Sequence, residues 1–398
     1  MKIPIDRSLL NHPESLRKFV APEFVFGIGA RLIVARYAAN LGSTKILVVS
    51  DPGVVEAGWT RELNGCLSEA GFPLAVYSEV SSNPPAEQVM AGAEIFFRER
   101  CNAIVAVGGG SPMDCAKGIG IVVAQEKHIL DFEGVDKVSM PIAPLICIPT
   151  TGGSSADVSQ FAIITNREAQ AKIAIVSKAI VPDIALIDPA TLITMPHEIA
   201  AATGMDALTH AFEAYASNAQ SPVTDLLAIE AVRLLFHFLP LSVRELSNLE
   251  YKTQVMLASL NAGLAFSNAS LGAVHAMAHA IGGLRNVAHG EANSILLPHV
   301  VRYNFSAIPG RYRKLAEASG FDPHELGRMS DDDVKEALVA RIISLQENLS
   351  APRRLRAFGV KNEDLPKLAE TAMRDACMAT NPREPTIQEV ERMYETAL

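Results

Sequence analysis

Seven short runs rich in valine and isoleucine punctuate the first 187 residues of this chain, and almost none follows Thr191. They cover 45–50, 74–80, 103–107, 144–149, 161–165, 173–177 and 184–187. Amphipathic stretches at 54–70, 85–98 and 112–125 lie between the earlier ones. Near-continuous apolar runs alternating with helical patterns predict strands buried on both faces by βαβ crossovers. A doubly wound α/β domain is therefore expected over residues 1–190, with some antiparallel strands after Phe161. From Thr191 helical periodicity takes over, at 199–217, 222–238, 251–266, 272–281, 310–319, 333–349 and 363–378. Residues 191–398 are read as a second, all-helical domain. No Gly-, Ser- or Pro-rich linker separates the halves, so they should pack closely around a cleft.

Composition narrows the function classes. The 398 residues are 49% hydrophobic and 20% charged, which supports large cores and excludes disorder. A net charge of −9 argues against nucleic acid or an anionic membrane as partner. The five cysteines, Cys66, Cys101, Cys115, Cys147 and Cys377, are far apart and contain no CxxC pair. A disulfide scaffold or a cysteine-rich zinc site is not expected, and a reducing compartment is the natural setting. The first 19 residues carry no signal-like apolar segment, and apolar stretches run to about ten residues against the roughly 20 of a spanning helix. A soluble, cytoplasmic protein is expected.

In open α/β sheets ligands bind beyond the carboxyl ends of the strands. Four runs end in small, polar or acidic residues: Asp51; Ser81-Ser82-Asn83-Pro84; Gly108-Gly109-Gly110-Ser111-Pro112-Met113-Asp114; and Thr150-Thr151-Gly152-Gly153-Ser154-Ser155. The triple glycine allows close backbone approach to a ligand. Ser111 is read as an N-cap, Pro112 as the first helical residue and Asp114 as the closing residue of a capping box. A helix starting there aims free N–H groups at a phosphate. Asp51 suits the ribose hydroxyls of a dinucleotide and would repel a 2′-phosphate, which favours NAD over NADP. The usual GxGxxG order is absent: Gly27-Ile28-Gly29 lies before the first clear strand.

The helical half carries a histidine constellation. Asp206 and His210 are spaced i,i+4, as are His275 and His279, so each pair shares a helix face. His289-Gly290 and His299 follow, placing four of the ten histidines within residues 275–299. One carboxylate and three of these imidazoles would suit Fe²⁺, Zn²⁺ or Mn²⁺, with an open position for a substrate oxygen.

On these motifs the sequence resembles the iron-dependent (group III) alcohol dehydrogenase family over nearly its whole length. The resemblance rests on Phe26-Gly27-Ile28-Gly29, Val48-Val49-Ser50-Asp51, Asn83-Pro84, the Gly108–Asp114 segment, Pro149-Thr150-Thr151, Gly204-Met205-Asp206-Ala207-Leu208-Thr209-His210-Ala211, the block from His275 to His299, and Asn381-Pro382-Arg383. It implies the fold shared with dehydroquinate synthases: an α/β dinucleotide-binding domain followed by a helical metal domain. It implies metal ligation by Asp206, His210, His275 and His289. It places His279 beside the metal as a catalytic residue able to relay a proton, and leaves His299 structural. Nicotinamide cofactor contacts are implied at Asp51, Asn83, Gly109, Gly110, Ser111, Asp114, Thr150, Thr151 and Lys172. The implied reaction is hydride transfer between a small alcohol or aldehyde and NAD, with Fe²⁺ (Zn²⁺ also acceptable) polarising the substrate oxygen. The implied assembly is a homodimer or higher homo-oligomer, for which an exposed edge strand is available. One segment departs: Gly152-Gly153-Ser154-Ser155-Ala156-Asp157-Val158-Ser159 has Asp157 where the family has Glu, and is expected to reshape the cofactor or substrate wall. The intact ligand set argues against metal-free maleylacetate reductases. A dehydroquinate synthase-like lyase needs several basic residues around a phosphorylated substrate, and few lie between Asp206 and His299. A non-catalytic NADH- and metal-binding redox sensor is the other alternative.

Overall fold

The structure, a computed structural model, describes residues 18–398 apart from Gln170 and Asn286. Most of the N-terminal stretch read above as lacking a signal lies outside the described residues. Among the described residues there are nine strands: β1 Glu23–Phe26, β2 Ile46–Val49, β3 Leu74–Tyr77, β4 Ala103–Gly108, β5 Gly134–Val135, β6 Leu145–Pro149, β7 Phe161–Asn166, β8 Ala171–Val176 and β9 Ile184–Ile187. Six form one parallel sheet in the order β1-β9-β6-β4-β2-β3. The others form a small sheet, β5-β8-β7, in which β7 and β8 are antiparallel.

The unbroken apolar runs have a direct cause. In β2, Leu47 and Val49 enter one core while Ile46 and Val48 enter another. In β4, Ile104 and Ala106 alternate in the same way with Val105 and Val107. Helices cover both faces, so neither parity of side chain meets water. All seven expected runs contain strands. β1 and β5 were not anticipated: β1 is an edge strand with Glu23 and Phe24 exposed, and β5 has only two residues, so neither makes an apolar run. The stretch 54–70 is two helices, Pro52–Glu56 and Trp59–Glu69, because Gly58 takes a left-handed conformation at φ 90° between them. The chain runs from β2 outward to β3 and then returns to place β4 on the other side of β2. The carboxyl ends of β2 and β4 therefore flank a topological switch point, the usual ligand crevice of such sheets.

Beyond β9 the long elements are helices, beginning with His197–Ala216, Pro222–Arg244, Leu249–Ala269, Ala273–Arg285 and His289–Asn304. The last of these was not foreseen, because Gly290 and Pro298 read as breaks within it. Its fully buried stripe, Ala292, Ile295, Leu296 and Val300, secures it in the helical core despite the interior proline. The helix Pro222–Arg244 is long and apolar enough to cross a membrane by length and composition, contrary to the reading of ten-residue stretches. Here it is a core helix, with Ala228, Ala231, Val232 and Leu235 fully buried. The same core takes in Val158, Phe161, Ala185 and Ile187 from the sheet half, so the halves share one packed interface.

Candidate active site

A cavity of about 1060 Å³ runs from the strand ends into the helical half. The nine expected cofactor residues, Asp51, Asn83, Gly109, Gly110, Ser111, Asp114, Thr150, Thr151 and Lys172, all line it, as do Asp206, His279 and His289. At its sheet end the helix Gly110–Gln125 follows β4. Gly109 is its N-cap and supplies no side-chain cap, so the first N–H groups stay available. This corrects the expectation of a Ser111 cap: the helix begins two residues earlier, and the Ser111 hydroxyl instead accepts the Asn83 N–H at 3.2 Å. Pro112 is accordingly the third helical residue, and Asp114 closes no capping box. Its carboxyl is buried near Ile163, and burial raises it to about 6. A Cβ on Gly109 or Gly110 would lie 3.0 Å from the side chains of Thr151 or Ser154, so these glycines form a narrow cradle. An uncapped helix N-terminus above such a cradle fits a pyrophosphate.

Asp51 does two things. One oxygen caps the helix Pro52–Glu56 by accepting the Val54 N–H at 3.0 Å, and the residue also faces the cavity. Asp157 is buried and is not on the cavity wall; Ser154 is the residue of that segment that reaches it. The departing segment thus meets the cavity through Ser154 and not through Asp157.

Lys172, on β8, donates to Asn83 Oδ1 at 2.7 Å. Burial lowers its amine to about 8, against the pull of the Asp206 and Asp114 carboxylates. A Lys with a depressed folded-state value costs stability below about pH 8, and the cost fades as pH rises toward the ordinary 10.5. Lys172→Met should thus raise stability at pH 7 by about 1–2 kcal/mol, with the gain largely gone near pH 10. Urea unfolding at both pH values measures this. No gain at pH 7 would mean that the carboxylates outweigh the burial.

At the other end of the cavity lies the histidine cluster. Asp206 and His210 share the helix His197–Ala216, His275 lies on Ala273–Arg285, and His289 opens His289–Asn304. The Nε2 atoms of His210 and His275 are each 3.9 Å from Asp206 Oδ1, and that of His289 is 3.8 Å away. His210 is clamped between Phe266 and His275, with ring centroids at 4.2 and 4.7 Å. Burial lowers His275 to about 3 and His210 to about 4, and also pushes His289 down. The rings are therefore neutral and present lone pairs.

Three side chains unforeseen from sequence complete the cluster. Glu213 Oε2 lies 2.6 Å from His275 Nδ1. Asp375 Oδ2 lies 2.8 Å from Nδ1 of His279, whose ring stacks on His289 at 5.1 Å. The buried Asn293 amide nitrogen sits 2.7 Å from Asp206 Oδ1 and 3.1 Å from Nε2 of both His275 and His289. One amide has two hydrogens for these three acceptors, while its own Oδ1 and His289 Nδ1 are buried without hydrogen-bond partners. A divalent cation among the donors would balance that surplus of lone pairs, so the residues fit a metal ion. Glu213 follows His210 by three residues and shares its helix face, a signal that periodicity could have supplied. Asn293, one turn after His289, was hidden with its helix. His299, by contrast, faces Thr396 at 3.1 Å, away from the cluster.

Comparison with known proteins adds to the geometry. Residues 21–189 match the family model described as iron-containing alcohol dehydrogenase, and residues 200–398 match the Fe-containing alcohol dehydrogenase family C-terminal model. The chain is 40% identical to 1,3-propanediol dehydrogenase from Klebsiella pneumoniae over 374 residues, covering 94% of this chain and 96% of that one. It is 34% identical to NAD-dependent methanol dehydrogenase from Bacillus methanolicus, covering 96% and 99% of the two chains. A crystal structure of 1,3-propanediol oxidoreductase superposes with a TM-score of 0.92 at 39% identity, covering 96% of this chain and 100% of that one.

Proposed function

The chain belongs to the iron-containing alcohol dehydrogenase family and is an alcohol oxidoreductase, and on that premise we propose how it works. Residues 1–190 form an NAD-binding domain and residues 191–398 a metal-binding domain. The enzyme interconverts small alcohols with aldehydes or ketones by hydride transfer. The observation that carries this reading is the single cavity joining the Gly109-Gly110 cradle to Asp206 and His289.

Asp206, His210, His275 and His289 would hold Fe²⁺, and their chemistry also accepts Zn²⁺. A bound ion would supply Lewis acidity that eases loss of the alcohol proton. The uncapped N–H groups at Gly110 would receive the cofactor pyrophosphate and Asp51 would take its ribose hydroxyls, while Lys172 and Asn83 line the same cavity as the cluster. Asp375 occupies His279 Nδ1, so Nε2 is the atom left to pass a proton between the cavity and solvent. The names of the relatives point to short alcohols and diols as substrates. The five unpaired cysteines suit a cytoplasmic setting, and β1, an edge strand among the described residues, suits assembly with a second copy.

The test is anaerobic purification with metal analysis, followed by an alcohol and aldehyde panel with NAD and NADP. Bound iron or zinc and turnover favouring NAD are expected, and in the same panel Asp51→Gly should relax the preference for NAD. Turnover without any bound metal would overturn the metal assignment, and an unchanged preference would remove Asp51 from its role. Tight NADH binding with no turnover would favour the sensor instead.

A further inference from the structure

We propose that Glu213 is a positioning residue that fixes the tautomer of His275 and thereby makes Nε2 of that ring a metal donor. The proposal rests on the reading of the histidine cluster as a metal site. Glu213 lies three residues after His210 and seven after Asp206, on the face of the helix His197–Ala216 that carries both. It is buried, with 6% of its surface exposed. Its carboxylate meets three nitrogens at the start of the neighbouring helix. Oε1 accepts the Val274 N–H at 2.6 Å, and Oε2 lies 2.6 Å from His275 Nδ1 and 3.4 Å from the His275 N–H. These groups open the helix Ala273–Arg285, where the macrodipole favours an anion.

An ionised carboxylate can only accept. His275 Nδ1 must then carry the proton, and the lone pair falls on Nε2, which faces Asp206 Oδ1 at 3.9 Å. A neutral imidazole with the opposite tautomer would present an N–H to the cluster and could not ligate. One helix face thus supplies two donors directly and sets the chemistry of a third on another helix. Carboxylate partners of ligating histidines commonly act this way, and their loss weakens metal binding by about 10–100-fold.

Glu213→Gln separates this role from simple packing. The side chain keeps its size, and its carbonyl oxygen can still take the Val274 N–H. Its NH₂ then faces His275 Nδ1 as a donor and drives the proton to Nε2. Zn²⁺ affinity is measured by chelator competition at pH 8. Imidazole tautomers are read by ¹⁵N NMR of histidine-labelled, metal-free protein. In the natural protein His275 should be the Nδ1–H form. In Glu213→Gln it should switch to Nε2–H, with Zn²⁺ binding about 10–100-fold weaker and NADH binding unchanged. An Nε2–H form of His275 in the natural protein would overturn the proposal without any variant, as would a Glu213→Gln protein that keeps the Nδ1–H form and full Zn²⁺ affinity. Absence of Zn²⁺ and Fe²⁺ binding by the natural protein would sink the metal-site reading instead, and the tautomer comparison would still decide what Glu213 does to His275.

Discussion

His275→Ala should strip the protein of its metal and lower alcohol turnover by about 10³-fold or more, while NADH still binds. Removing the ring deletes one of the four proposed donors and strands the Glu213 carboxylate that held it. It also removes the stacking partner of His210, whose ring lies 4.7 Å away. Loss of a bound Lewis acid forfeits several kcal/mol of stabilisation where negative charge develops, and each 1.4 kcal/mol is about a factor of ten in rate. The cofactor cradle lies at the ends of β2 and β4, on other elements, and should survive. Metal analysis, steady-state turnover and NADH fluorescence titration are the measurements. A His275→Ala protein with full activity and no metal would refute the mechanism.

Gly290→Ala should be severely damaging for the addition of a single methyl group. A Cβ there would meet Ala202 O at 2.2 Å and the Ala202 carbonyl carbon at 2.7 Å, both backbone atoms that cannot swing aside. It would also press to 3.3 Å from Asp206 Cβ. The helix His289–Asn304 must then retreat from His197–Ala216, drawing His289 away from Asp206. A loss of about 3–5 kcal/mol in unfolding free energy is expected, with weaker metal retention. Gly310→Ala is the control, since a Cβ there meets nothing within 4 Å. Thermal unfolding of both variants checks the contrast; equal melting temperatures would show that the two helices can separate at little cost.

Gly290 also shows why sequence periodicity failed where it did. A glycine and Pro298 inside a helix look like breaks, yet here the glycine permits close helix approach and the proline is carried by a buried apolar stripe. β2 and β4 were legible because both of their faces are buried, which leaves a continuous apolar run. β1 was not, because half of an edge strand faces water. The pairing of Asp206 with His210 was readable from i,i+4 spacing. That same spacing could not tell His275 from His279. The difference lies in where the tertiary fold places each ring: His275 joins Asp206 and His210, while His279 sits with Asp375 and Cys377. Ser111 was misread because it has the right chemistry for a cap. The backbone of Gly109 already takes the extended conformation that a cap requires, and the serine is left to Asn83.

The cavity joins two kinds of wall, strand ends on one side and three helices on the other. The groups suited to choosing a dinucleotide and the groups suited to holding an ion therefore belong to different stretches of chain. Changes at Asp51 and at the histidine cluster can accumulate independently of one another. A lineage built on this scaffold can trade one coenzyme for another, or one ion for another, without having to renegotiate both at once.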